Sequence, residues 1–280
     1  MRRRNGPKVA TPCLVLKVVN FGDADRIVTL LTQEFGKVSA LAKGARTSRR
    51  RFGAALASFG YGEALLEERP GQELFVLSEL HMSQGFPNLP LELCRFGYAA
   101  YACELCLHLC PPQVPEPRVL RLLVTMLDEL DRLPLSQKPK ALLLRAFELQ
   151  VLSAVGLALQ IEDCAACGDV VPDAPLVPLD VERGGVLCSR CYKGPIPTQL
   201  GPRGGGLSAE LRATLSQLSC LALERAIKDT PGIDFQTQQL AKELLLAVVR
   251  RHIGHELRSV EFIAKVNAFQ TTPGTEQAAP

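Results

Sequence analysis

Two Cys-x2-Cys pairs constrain this chain more than any other feature: Cys164 and Cys167, then Cys188 and Cys191, with twenty residues between the pairs. A tight turn at each pair aims two sulfurs at one point, and two such turns at this separation match four-thiolate zinc sites. Gly168, directly after Cys167, eases the backbone through the first turn. Four thiolates fill a tetrahedral shell, so the expected Zn2+, one per chain, is structural and pins a segment too poor in apolar residues to fold alone. A redox pair would need only one such turn at a helix start, and a second matched pair has no part in that chemistry. A deaminase-type catalytic zinc would need a His-x-Glu partner, which the sequence lacks.

The other six cysteines read differently. Cys103, Cys106 and Cys110 recur at i, i+3, i+7 beside Ala99 and Ala102, the pattern of a small-residue packing stripe on one helical face. Cys13, Cys94 and Cys220 have no partners in sequence and read as core.

The region before residue 84 has strand character. Residues 13–19 and 26–32 are apolar and β-branched, and residues 37–43 alternate, with Val38, Ala40 and Ala42 on one face. Residues 61–67 and 73–82 follow, separated by the turn Arg69-Pro70-Gly71. Five short strands in about 70 residues suit a small closed barrel of the OB type. Beyond residue 87 the period becomes helical. Residues 91–109, 117–133, 140–155, 208–228 and 235–253 are expected helices, with Ser208 a natural N-cap and Gly156 a C-terminal stop.

The resulting expectation is an α+β multidomain chain. A five-stranded OB-fold β-barrel (1–84) precedes an α-helical domain (85–268) that is interrupted at 160–206 by a zinc-ribbon-like insertion carrying the four paired cysteines. Residues 269–280 are expected to form a disordered tail.

Charge is uneven. Residues 1–60 hold twelve Lys/Arg against three Asp/Glu, a balance of +9, whereas the whole 280-residue chain is only +3, leaving −6 for the rest. A basic module on a mildly acidic body suits a polyanion binder. The densest stretch is Lys43-Gly44-Ala45-Arg46-Thr47-Ser48-Arg49-Arg50-Arg51, five cations and no acid between two expected strands. With Lys37 beside it, this loop would meet about five phosphates and bind in a salt-dependent way. The chain has no Trp, and Phe52, Phe59 and Tyr61 are the nearby aromatics, so backbone binding without sequence preference is expected.

Several classes are disfavoured. No apolar run reaches the roughly 18 residues of a membrane span, and the basic start lacks a secretory signal's apolar core, so a cytoplasmic protein is expected. There is no P-loop. The run Gly201-Pro202-Arg203-Gly204-Gly205-Gly206 follows no expected strand and lacks dinucleotide-loop spacing. His252 and His255 have no third ligand, and Asp128, Glu129 and Asp131 read as the solvated side of a helix. Nothing reads as a catalytic centre, and a zinc hydrolase is disfavoured by the closed coordination shell.

Several segments together resemble the RecO family: Phe21-Gly22-Asp23-Ala24-Asp25-Arg26, Leu31-Thr32-Gln33-Glu34-Phe35-Gly36-Lys37 and Ala42-Lys43-Gly44-Ala45-Arg46. Phe147-Glu148-Leu149, the Cys164 knuckle with Gly168, and Arg258-Ser259-Val260-Glu261-Phe262 continue the match. The resemblance is collinear over about residues 10–266, and Val260 departs from the residue expected in many relatives. It implies a recombinational repair mediator that binds single- and double-stranded DNA and anneals complementary strands without ATP. It further implies work with RecR and single-stranded DNA-binding protein so that RecA loads. By the same resemblance the zinc ligands are Cys164, Cys167, Cys188 and Cys191, and the DNA-contacting loop holds Lys43, Arg46, Arg49, Arg50 and Arg51. A second reading is a zinc-stapled adaptor, with Arg118, Arg121, Lys138, Lys140 and Arg145 receiving the acidic C-terminal tail of single-stranded DNA-binding protein.

Overall fold

The computed structural model describes residues 6–48, 50–53, 55–69, 71–134, 141–226 and 233–271. Arg49, Lys138, Lys140 and the tail beyond residue 271 lie outside the described residues.

Strands β1 (Lys8–Phe21), β2 (Asp25–Thr32), β3 (Gly36–Ala42), β4 (Tyr61–Glu67) and β5 (Phe75–Gln84) close a barrel in the order β1-β2-β3-β5-β4. The period-2 pattern explains the core. Val28 and Leu30, Val38, Ala40 and Ala42, Ala64 and Leu66, and Phe75 and Leu77 alternate inward, meeting Cys13 and Val15 of β1. β1 starts before the expected residue 13 and runs straight through Pro12, which sits opposite Glu63 and accepts the Gln33 N–H on its carbonyl (3.0 Å). A bulge between Val15 and Lys17 then re-aims the strand.

All barrel pairings are antiparallel except β3–β5, which run parallel and meet only at Ala40–Phe75 and Leu41–Val76. The remainder of the β3 edge is taken by the helical body: Gln113 N–H donates to the Lys37 carbonyl (2.9 Å), and Lys37 bridges to Pro112. Gly36, at φ 64°, lies under this segment, where a Cβ would fall 2.0 Å from the Val114 carbonyl oxygen. On the outside of the barrel, Leu14 and Leu31 sink into the core of the helical body.

That body opens with a 3-10 turn (Leu89–Leu91), α1 (Leu93–Leu109), α2 (Pro117–Arg132) and α3 (Ala141–Ala154). Glu92 caps α1 through the N–H groups of Cys94 and Arg95, and Glu116 caps α2, which has Pro117 in its first turn. Buried Arg95 donates to the Leu130, Leu133 and Pro134 carbonyls, satisfying the end of α2. The Cys103, Cys106 and Cys110 stripe is buried as packing, and burial pushes the Cys103 thiol up to about 12.

The cysteine-bearing segment forms a second sheet of β6 (Leu176–Asp180), β7 (Gly185–Val186), β8 (Leu200–Gly201) and β9 (Gly204–Ser208), ordered β7-β6-β9-β8. This corrects the reading of the glycine-rich run as unattached to any strand: Gly204, Gly205 and Gly206 are themselves strand. They are glycines because a Cβ there would lie 2.1–2.3 Å from the carbonyl oxygens of Leu179, Gln199 and Pro197.

β9 runs directly into α4 (Ala209–Cys220), with Ser208 accepting the Leu211 N–H (3.2 Å) as the expected cap. α5 (Leu223–Ala226), α6 (Phe235–Ile253) and α7 (Arg258–Thr271) complete the chain. The single helix expected over 208–228 breaks at Leu221, where the Gln150 side-chain amide takes up the Leu218 and Leu221 carbonyls. α7 goes beyond the sequence reading, and its helix extends to Thr271, into residues expected to be disordered. Its first N–H groups, of Arg258 and Ser259, donate to Glu104 on α1 (3.1 and 2.9 Å). Among the described residues no helix is long and apolar enough to cross a membrane.

Candidate nucleic-acid interface and metal centre

The basic loop after β3 is anchored rather than free. Ala45, Phe52, Ala55 and Leu56 drop into the barrel core, closing one end of it. Asp25 accepts the Gly44 N–H (2.8 Å), Ala24 O accepts the Arg46 N–H (3.0 Å), and Arg51 O accepts the Leu80 N–H (3.0 Å). With its backbone fixed, the loop displays Lys43, Arg46 and Arg50 to solvent.

These cations are not equivalent. Arg51 donates to Ser48 Oγ (3.1 Å) and to the Lys43 carbonyl (2.7 Å), and its guanidinium lies 5.1 Å from the Phe52 ring centroid. It therefore ties the loop to itself as well as adding charge. Arg46 reaches the Asp23 carbonyl (2.7 Å) and joins the loop to the β1–β2 turn.

Lys37 sits elsewhere. Its Nζ donates to the Leu107 carbonyl (2.5 Å) near the C-terminus of α1, where a cation meets the negative end of the helix dipole, and burial pulls its pKa below the ordinary lysine value. The aromatics expected near the loop are also committed: Phe52 and Phe59 are buried and Tyr61 is half-buried. Phe21, half-exposed at the β1–β2 turn, is an aromatic side chain that the sequence reading quoted without assigning it a role.

Of the cations expected to receive a partner's acidic tail, Arg118 and Arg121 are exposed on α2. Arg145 is a correction: it is buried and pairs with Glu148 (2.8 Å), whose carboxylate also accepts the Tyr101 hydroxyl. It points inward because α3 is packed on all sides. The scattered histidines form no ligand set among the described residues. His108 and His255 meet edge to face, 4.8 Å apart, in a cleft of about 670 Å3 between β1 and α1.

The four knuckle cysteines converge. Their sulfurs all lie within 4.8 Å of one another, and Cys167 and Cys188 are 3.7 Å apart. The turns are closed by Gly168 N–H to Cys164 O (2.8 Å) and Cys191 N–H to Cys188 O (3.0 Å). The Cys188 N–H also donates to the Cys164 sulfur (3.3 Å). Loss of solvation opposes ionisation of Cys164, but N–H donors at Cys188, Ala166 and Cys167 bring its thiol down to about 6. The backbone at Cys191 lowers Cys188 in the same way. One thiol of each turn is thus lowered, whereas loss of solvation and the neighbouring sulfurs push Cys167 up to about 12, and Cys191 is raised as well. Four sulfurs converging from two turns are the donor set of a soft divalent metal. Arg190 pairs with Asp169 from one knuckle to the other.

Arg212 of α4 is a residue the sequence reading missed. Only 5% exposed, it donates to the carbonyls of Ile161 (2.7 Å) and Val171 (2.8 Å), with longer contacts to Glu162, Pro172 and Asp173. It thus clamps both arms of the first knuckle. No local pattern separates it from a surface arginine, since its partners lie about 40 to 50 residues earlier.

Comparison with known proteins agrees with this architecture. The family model "Recombination protein O N terminal" matches residues 7–86, and "Recombination protein O C terminal" matches residues 91–261. The DNA repair protein RecO of Anaeromyxobacter sp. (strain K) is 40% identical over 253 residues, spanning 90% of this chain and 94% of its own. The proteins of that name from Myxococcus xanthus (strain DK1622) and Pelobacter propionicus are 35% and 34% identical, each over 90% of this chain and 96% and 95% of their own. A barrel matched by one family model, a helical body matched by the other, and relatives aligned over nearly their full length place this chain in the RecO family of DNA repair and recombination proteins.

Proposed function

We propose that the chain is a recombination mediator that binds single- and double-stranded DNA and anneals complementary strands without ATP or any catalytic step. It acts in the cytoplasm with RecR, letting RecA load onto strands covered by single-stranded DNA-binding protein. The observation that supports this most is the basic loop, fixed by apolar anchors on a closed barrel and presenting Lys43, Arg46 and Arg50 together. Such a patch lowers the phosphate repulsion between two strands, and base pairing then supplies the free energy. Arg49 belongs to the same sequence run.

The metal is zinc. A tetrahedron with Zn–S bonds of about 2.3 Å has edges of about 3.8 Å, close to the 3.7 Å between Cys167 and Cys188. When bound, it cross-links the two knuckles and takes up the charge of four thiolates; Arg212 and the paired turns hold those thiols in place.

The acidic tail of single-stranded DNA-binding protein is assigned to the face of α2 that carries Arg118 and Arg121. Pull-down with the tailless form is expected to fail, and retained binding would reject this surface. The experiment for the main reading is annealing of complementary strands coated with single-stranded DNA-binding protein, without nucleotide, at two salt concentrations. Annealing that falls as salt rises is expected. Binding to the coated strand without annealing would favour the adaptor role instead.

A further inference from the structure

The joint between the barrel and the helical body holds a feature that neither the basic loop nor the cysteine knuckles use. The cleft of about 670 Å3 between β1 and α1 has the size of a small organic ligand's site. Its floor is apolar, with Leu16 from β1, Leu107 from α1, and the rings of Phe59 and Phe96. Phe59 sits at φ 66°, in the left-handed region that bulky residues rarely adopt, and such conformations gather at ligand clamps. Its ring meets the half-buried Phe96 edge to face (5.5 Å), and Phe96 in turn meets Phe262 of α7 (6.1 Å).

The rim is cationic and uncompensated. Lys17 comes from β1, His108 from α1, His255 from the turn after α6, and Arg258 from the start of α7. Two acids share the rim, and both are committed. Glu104 accepts the Arg258 and Ser259 N–H groups and the Ser259 hydroxyl, and Glu256 pairs with Arg250 (2.6 Å). No carboxylate among the described residues pairs with the side chain of Lys17 or Arg258. His255 donates from Nδ1 to the Glu256 carbonyl (2.9 Å), so a second proton goes to Nε2 and makes a donor there. His108 is held below the ordinary histidine value, first by burial and then by His255, Lys37 and Lys17, with Glu104 opposing them. Crowded cations repel one another, and a bound anion relieves that repulsion.

We infer that this cleft is a nucleotide site, with a phosphate monoester seated among Lys17, His108, His255 and Arg258 and its base on the Phe59–Phe96 floor. A dianionic head matches the uncompensated rim, and a flat aromatic base matches the apolar floor. A nucleoside monophosphate supplies both, whether it is free or forms the 5′ end of a DNA strand. The site does not depend on the DNA reading of the basic loop, since none of that loop's cations lines the cleft.

The test follows the imidazole NMR signals of the whole chain, which has four histidines, with His108→Gln identifying the His108 signal. Adenosine 5′-monophosphate is expected to move the His108 titration midpoint up by about half a pH unit, because the anion favours the protonated ring. Affinity for the nucleotide then rises about threefold as pH falls through that range. Adenosine should not move the midpoint, and inorganic phosphate should need at least about tenfold more to do so. His81, on β5 and outside the cleft, should not respond. Arg258→Ala keeps the backbone N–H that docks α7 on Glu104, and should weaken nucleotide binding at least about fivefold. Strands ending in a 5′-phosphate or a 5′-hydroxyl separate the two sources. A His108 response at lower concentration of the phosphorylated strand than of the free nucleotide assigns the site to strand ends, and the reverse assigns it to free nucleotide.

A His108 signal that ignores both the nucleotide and the phosphorylated strand, or nucleotide affinity unchanged in R258A, would overturn the site. So would a His81 response as large as that of His108, which would report general surface charge. Inorganic phosphate acting as well as the nucleotide would leave the rings without a part and overturn the nucleotide reading. An acidic peptide binding more tightly than the nucleotide would give the cleft to a protein partner and also overturn it.

Discussion

The loop after β3 and the first cysteine knuckle are both irregular chain held in one conformation, but the forces differ. The β3 loop sinks Phe52, Ala55 and Leu56 into the barrel, so it is fixed by apolar burial, which is non-directional and indifferent to ions. The knuckle also buries Ile161 and Val171, yet its path is set by the Arg212 donors and by four thiols. The loop proposed to meet DNA is thereby insulated from metal supply, while the insertion is expected to depend on the metal proposed for its four thiols.

Metal removal would break this comparison most visibly. Chelation, or Cys188→Ser, is expected to abolish zinc content and make residues 160–206 protease-sensitive, since binding of structural zinc is worth on the order of 10 kcal/mol. The barrel and its DNA binding should persist. A protease pattern identical to that of the parent would mean the insertion folds without its metal.

Phe52→Ala is the counterpart for the other loop. It is expected to cost about 3–5 kcal/mol and to weaken DNA binding by releasing the cations, with zinc content unchanged; thermal unfolding and metal analysis read both. Arg212→Leu should cost about 2–3 kcal/mol, because the Ile161 and Val171 carbonyls lose their donors inside the protein. Faster extraction of zinc by a competing chelator is its signature, and an unchanged rate would remove the clamp from the account.

The smallest effect sharpens the comparison within the loop. Arg50→Ala is expected to leave stability alone and reduce the log–log salt slope on duplex by about 0.9. Arg51→Ala should lower stability too, because it also loses Ser48, the Lys43 carbonyl and the Phe52 ring.

Features coded by short-range pattern were legible in the sequence: the inward alternation of Val38, Ala40 and Ala42, the Ser208 cap, and the paired knuckles. Features settled by distant partners were not. Gly204, Gly205 and Gly206 form a strand with no side chains to alternate, and their identity answers to carbonyls on neighbouring strands. α7 starts where Glu104, over 150 residues away in sequence, supplies the cap. Composition marks arginines as surface residues, yet Arg95, Arg145 and Arg212 are buried because each finds carbonyl or carboxylate acceptors in the folded core. The same blindness to tertiary partners exchanged the roles of Phe52, which packs, and Phe21, which does not.

The short parallel seam between β3 and β5 bears on how the chain is made. Residues 112–114, which cover the rest of the β3 edge, are synthesised about 30 residues after the barrel ends, a delay of a few seconds on the ribosome. During that interval the Lys37 end of β3 is an open edge, a template for pairing with another nascent chain. A lysine is the residue that discourages such pairing, and Lys37 stands there. In the folded chain the same ammonium donates to the Leu107 carbonyl of α1, and Lys37 is bridged to Pro112. A fragment ending at residue 84 would keep its guard but never gain its cover, and self-pairing would be its characteristic failure.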